Sequence, residues 1–155
     1  MIAIHESEYS FSNRWISYCQ KKKIDYKIVN CYSNEIIRDL ENCDALMWHH
    51  NNVNSKDILF AKQLIFSLEQ SGMIVFPDFN TTWHFDDKLG QKYLFEAFDL
   101  PNVNTYVFYQ KHQAVEWARC TTYPKVFKLR SGAGSDNVKM VRNFSQAKKV
   151  IDIAF

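Results

Sequence analysis

Tyr123-Pro124-Lys125-Val126-Phe127-Lys128-Leu129-Arg130-Ser131-Gly132-Ala133-Gly134-Ser135-Asp136-Asn137-Val138-Lys139-Met140-Val141 is the stretch whose reading decides the chain. Val126 to Leu129 alternates with a period of two. The sequence therefore predicts a strand with Lys128 and Arg130 on one face and Phe127 and Leu129 on the other. Val138 to Val141 alternates again, and a second strand is expected there. Between them lie two of the chain's four glycines with two serines, an aspartate and an asparagine. Such a loop reaches positive φ and can turn backbone N–H groups toward an anion, with the strand's cations facing the same anion. Lys128, Arg130, Ser131, Gly132, Gly134 and Ser135 form a phosphate-cradle candidate. A P-loop is excluded, because Gly134 is followed by Ser135-Asp136 and not by a lysine and a hydroxyl residue. A dinucleotide fingerprint is excluded too, since Asn137 stands where a third glycine belongs and a strand follows. A plain hairpin with a glycine-rich turn stays open as the alternative.

Working outward, the first half alternates apolar triplets with amphipathic segments. Ile2 to Ile4, Tyr26 to Val29, Ala45 to Trp48 and Met73 to Phe76 are expected strands. Helices are expected over Phe11 to Lys23, Asn34 to Asn42 and from Ser55 to Gly72. Continuous apolar strands separated by helices predict a parallel sheet covered on both sides, a Rossmann-like α/β unit over residues 1–78 without a glycine fingerprint. Ligands of such sheets lie beyond the carboxyl ends of the strands. Those ends are polar here, running into His5-Glu6, into His49-His50-Asn51 and into Asp78. His5, Glu6, His49 and Asn51 are the candidate substrate contacts, with an ordinary solvated loop row as the alternative. A metal at His49-His50 is discounted, because neighbours in an extended segment point apart and no Cys or Asp partner falls at ligand spacing.

The second half, residues 79–155, changes character. Asp86 or Asp87 can cap a helix reaching Phe98, with Lys88 in its first turn against the helix dipole. Lys88 either pairs with its neighbouring aspartates or adds charge to a bound anion. After Pro101 a strand is expected over Asn104 to Tyr109, then a helix over Gln113 to Arg119, the glycine hairpin, and a last helix from Ser145 with Ala147, Val150, Ile151, Ala154 and Phe155 on one stripe.

In this order the elements resemble the ATP-grasp enzymes: a Rossmann-like domain, Asp87-Lys88 opening a helix, Leu100-Pro101 before a strand, then Lys125-Val126-Phe127-Lys128 and the loop Ser131 to Ser135. The resemblance implies an α/β chain, a Rossmann-like pre-ATP-grasp domain followed by the N-terminal α+β subdomain of an ATP-grasp fold. It implies ATP and Mg2+ as cofactors, a small carboxylate activated as an acyl phosphate and coupled to an amine, and ATP phosphates held by Lys88 and Lys128 under the glycine loop. A departure stands at the other end. After the glycines the carboxylate side chains are Asp136 and Asp152, whereas magnesium on a triphosphate takes hard oxygen ligands, usually one or two carboxylates. The chain is thus read as the front part of a longer ligase, inactive alone, with the metal ligands in the remainder. The alternative from another class is a non-catalytic nucleotide- or ligand-binding module.

Composition bounds the partners. With 19 basic against 17 acidic residues in 155, bulk charge predicts no nucleic-acid or membrane partner. The start carries no basic n-region, no apolar run is long enough to span a bilayer, and Cys19, Cys31, Cys43 and Cys120 show no paired spacing; free thiols in the cytoplasm are expected. The apolar stripe of the last helix predicts that the chain self-associates, as in a homo-oligomer, frays at its end or packs residues from a neighbour there.

Overall fold

Short apolar runs that cannot satisfy their own backbone groups need ladder partners, and the first four find them. In the computed structural model, which describes residues 1–8, 10–51, 54–131 and 137–155, β1 (Ile2–His5), β2 (Tyr26–Val29), β3 (Ala45–Met47) and β4 (Ile74–Phe76) form a wholly parallel sheet in the order β2-β1-β3-β4. Ile4 pairs with Ile28 on one side and with Met47 on the other. The chain divides into two units, Met1–Trp83 and His84–Phe155; the sequence reading placed the division after residue 78.

In the first unit α1 (Ser12–Lys22), α2 (Ile36–Asp39) and α3 (Ser55–Gln70) connect the strands. One face of the sheet presents Ala3, Val29, Leu46 and Val75, all buried against α2 and α3 through Ile36, Leu40, Ala61, Ile65 and Leu68. The other face is covered at its centre, where Ile4 is fully buried, and Trp15 of α1 meets Phe76 edge to ring at 6.0 Å. Its flanks are open: Ile28, Ile74 and Phe76 are all exposed, Ile74 at 68%. The expectation of a sheet covered on both sides is corrected to one full face and one half-covered face. The reason is that α1 is narrower than the four strands it would have to cover. Asp78, at the end of β4, caps α4 (Phe79–Thr82) by accepting the Thr81 N–H at 2.8 Å.

The second unit is built from α5 (Lys88–Ala97), α6 (Lys111–Cys120), the antiparallel pair β5 (Lys125–Lys128) and β6 (Val138–Val141), and α7 (Phe144–Ala154). Its core is made where small residues let α6 and α7 approach: Ala114 and Ala118 meet Ala147 and Ile151, with Val141 beneath and Phe127 and Trp117 at the side. Ala147, Val150 and Ile151 of the α7 stripe are therefore covered within the unit, whereas Ala154 and Phe155 at its end are exposed, with Ile153 beside them. Asn143 caps α7 through the Gln146 N–H at 3.0 Å, and the Gln146 side chain accepts from the Arg142 N–H at 2.9 Å.

The strand expected at Asn104 to Tyr109 does not form. Residues 101–108 carry no regular structure. Their aromatic residues find ring partners in place of a ladder: Tyr106 and Phe108 lie 4.9 and 5.3 Å from Trp117, and the Tyr109 hydroxyl meets that of Tyr93 at 2.6 Å. Among the described residues no helix is long and apolar enough to cross a membrane, and Cys19, Cys31, Cys43 and Cys120 are free thiols.

Candidate functional site

Two polar constellations stand out, one in each unit. The strand order reverses between β1 and β3, the position where doubly wound sheets open a crevice at their carboxyl ends. His5 ends β1 and His49 follows β3, so both lie at that edge of the sheet. His5 is almost fully buried. Its Nδ1 lies 3.1 Å from the Cys31 N–H and 3.3 Å from the Val29 carbonyl, and its ring packs edge-on against Tyr32 and Trp48. It has little surface to offer a substrate. Glu6 is exposed. His49 is half-buried, lies 4.5 Å from the Phe11 ring and accepts the Phe11 N–H at Nδ1. Asn51 donates its backbone N–H to Asp57 Oδ2 at 2.8 Å and accepts from the Asn54 N–H.

Asp57 is the organiser of this edge, and the sequence reading missed it. Only 4% exposed on the first turn of α3, it also accepts the Tyr32 hydroxyl, which in turn accepts from Asn54 Nδ2 at 2.6 Å. The signal was present as Asn54-x-x-Asp57, a helix cap followed three residues later by an acid. Here that acid ties the β3 loop to Tyr32 instead of reaching back to the cap.

Burial lowers the His5 pKa, with the Val29 carbonyl and the Asp57 charge opposing. Burial also lowers that of His50, which Asp57 opposes and His49 and Lys62 reinforce. Burial raises the Tyr32 phenol, and the Asp57 hydrogen bond and charge add to it. Both histidines are therefore held neutral by the fold, so the unfolded chain binds protons more readily and stability rises with pH through this window. The first unit should lose stability as pH falls below the ordinary histidine value of 6.5. Hydrogen exchange at the β1 and β3 amides between pH 7.5 and 5 checks this; protection free energies flat across that interval would contradict it.

The second constellation joins α5 to the end of β5. Asp87 caps α5, accepting the Leu89 and Gly90 N–H groups, both at 3.0 Å. The same carboxylate receives Arg130 bidentately, Nη2 to Oδ2 at 2.6 Å and Nε to both oxygens at 3.1 Å. The Arg130 carbonyl in return accepts the Lys88 N–H at 3.0 Å, one of the amides that a helix start leaves without an internal partner. Asp86, immediately before, holds a left-handed φ of 54°. The Arg130 hydrogen bond, more than any other cause, holds the Asp87 carboxyl at about 2, below its usual 3.8. Its charged form is thus favoured by folding above the unfolded value, and that stability is lost as pH falls from about 4 toward 2. Allowing for Arg130's exposure, the loss should be about 1–2 kcal/mol, read as acid unfolding of α5 in the wild type that is weaker in Arg130→Gln. An identical acid limb in the two proteins would contradict it.

Lys128 is exposed on β5, beside Val138 across the pair, whereas Phe127 turns inward beside Lys139. The alternation expected for Phe127 and Lys128 is observed. Leu129 is exposed beyond the strand, and Arg130 turns to Asp87. Ser131 is exposed, its carbonyl accepting from Asn137 Nδ2 at 3.3 Å. Gly132, Gly134 and Ser135 lie outside the described residues. Among the described residues no three His, Cys, Asp or Glu side chains come together as a metal site.

With this geometry in view, the chain can be set beside known proteins. Over 134 residues it is 24% identical to the alpha-aminoadipate–LysW ligase LysX of Saccharolobus solfataricus, a match covering 79% of this chain and 47% of the relative. That length exceeds either unit alone, so the similarity takes in parts of both. The chain spans about half the length of this curated relative. No protein-family model matches it.

Proposed function

We propose that this chain is the front, phosphate-gripping part of an ATP-dependent carboxylate–amine ligase of the ATP-grasp type. The observation that carries the reading is the tie between the start of α5 and the end of β5, which brings the Lys88 backbone to the strand that bears Lys128, immediately before the Ser131 to Ser135 loop. The ligase relative supports it, as does a parallel sheet whose carboxyl edge carries Glu6, His49 and Asn51. ATP with Mg2+ would supply the phosphoryl group that activates a small carboxylate as an acyl phosphate. In such transfers positioning and charge neutralisation carry most of the rate. Lys88 and Lys128 would neutralise the phosphates, and Ser131, Gly132, Gly134 and Ser135 would be further ATP contacts. Glu6, His49 and Asn51, at the polar sheet edge that Asp57 organises, would contact the substrate. The metal's hard oxygen ligands would come from the remainder of such a ligase.

Calorimetry with MgATP on the intact protein tests this. Lys128→Ala should weaken binding by on the order of 1–3 kcal/mol, the size of a charge-assisted hydrogen bond. Lys139→Ala should do much less, since Lys139 lies on the opposite face of the hairpin, across from Phe127. Equal and negligible losses would leave the hairpin as a hairpin and remove the reading.

A further inference from the structure

We infer that Arg130 is not a phosphate ligand but a positioning residue, one half of an Asp87–Arg130 clasp that sets where Lys88 stands. The inference deepens the proposed ATP site and rests on it. Both ends of Arg130 are engaged with the first turn of α5: the guanidinium holds the Asp87 carboxylate through Nε and Nη2, and the carbonyl takes the Lys88 N–H. The carboxylate it holds is buried and already spends Oδ1 on the Leu89 and Gly90 amides. Arg130, Asp87 and the helix start therefore move as one body. A guanidinium neutralised by a bidentate carboxylate brings little net charge to a neighbouring phosphate, whereas Lys88, covalently next to Asp87, takes its place from the clasp.

The two roles part company at Asp87. An arginine that bound phosphate directly would be released by Asp87→Asn, and ATP would bind as well or better. An arginine that positions Lys88 loses its partner in the same variant, although the asparagine oxygen still caps Leu89 and Gly90. The experiment is calorimetric titration of the intact protein with MgATP for Lys88→Ala, Arg130→Gln, Asp87→Asn, the Lys88→Ala/Arg130→Gln pair and Lys128→Ala. The expected result is a loss on the order of ten-fold for each of the first three, and a double variant no weaker than Lys88→Ala alone. Losses that multiply in the double variant, or unchanged affinity in Asp87→Asn, overturn the positioning role. A response to Lys128→Ala with none to Lys88→Ala also overturns it while leaving the ATP site standing. No MgATP binding by the unsubstituted protein, or no response to either lysine, removes the ATP reading and this inference with it. Hydrogen exchange at Leu89 and Gly90 separates repositioning from global unfolding: Arg130→Gln should raise exchange there and leave α6 and α7 unchanged, and loss of protection throughout the unit would make the pair a stability element only.

Discussion

Trp48→Ala is expected to cost the first unit about 3–5 kcal/mol, the range for emptying a large aromatic site in a closed core. Trp48 is 1% exposed and is the hub of the carboxyl edge, with the rings of His5, Tyr32 and His50 at 5.4, 6.0 and 6.1 Å, each edge to face. Its loss removes one apolar wall from all three. A total stability of about 5–15 kcal/mol leaves a small domain little room for such a change. The indole Nε1–H is itself buried with no hydrogen-bond acceptor among the described residues. Trp48→Phe gives up ring area yet also removes that uncompensated donor, so it should cost far less than alanine, about 1 kcal/mol. Native-state hydrogen exchange at Ala3 and Leu46 reads both variants within the unit concerned. Losses below 1 kcal/mol for alanine, or equal losses for the two variants, would contradict the packing account.

The second large effect is expected at Asp57. Asp57→Ala should cost about 1–3 kcal/mol, because it takes the acceptor from the Tyr32 hydroxyl and the Asn51 N–H in a partly buried setting, where an unsatisfied group costs roughly 1–3 kcal/mol or less. The design of the network gives a sharper expectation. Tyr32→Phe in the Asp57→Ala background removes the stranded hydroxyl, so the pair should be less destabilised than the sum of the single variants. Additive losses would mean that the Tyr32–Asp57 bond carries no coupling and that this edge is held by packing alone.

Much of the fold was legible because its elements are local and strongly periodic. Ile2 to Ile4, Ala45 to Trp48 and the Ile58, Ala61, Leu64, Ile65, Leu68 stripe each declare an element that the structure forms, although Ile58 is exposed. What could not be read were decisions made at a distance. Asn104 to Tyr109 carries strand-like residues, but Trp117 on the following helix offers ring partners to Tyr106 and Phe108 instead of a ladder. Ile74 and Phe76 read as a strand buried on both faces, and nothing local shows that their side of the sheet is left uncovered. At the sites the same division holds. Lys128's face followed from a period of two, whereas Arg130's turn toward Asp87 spans 43 positions. The polar residues beyond β1 and β3 were visible, yet two of their neighbours, Tyr32 and Asp57, organise them through bonds that no spacing rule joins.

A grip on ATP phosphates by Lys88 and Lys128, as proposed, can be read without any substitution. Brief acetylation of the intact protein with and without MgATP, read by mass spectrometry, reports each lysine amine by itself. MgATP should protect Lys88 and Lys128 while Lys139, on the other face of the hairpin, reacts as before. Unchanged labelling of Lys88 and Lys128, or protection confined to Lys139, would contradict it.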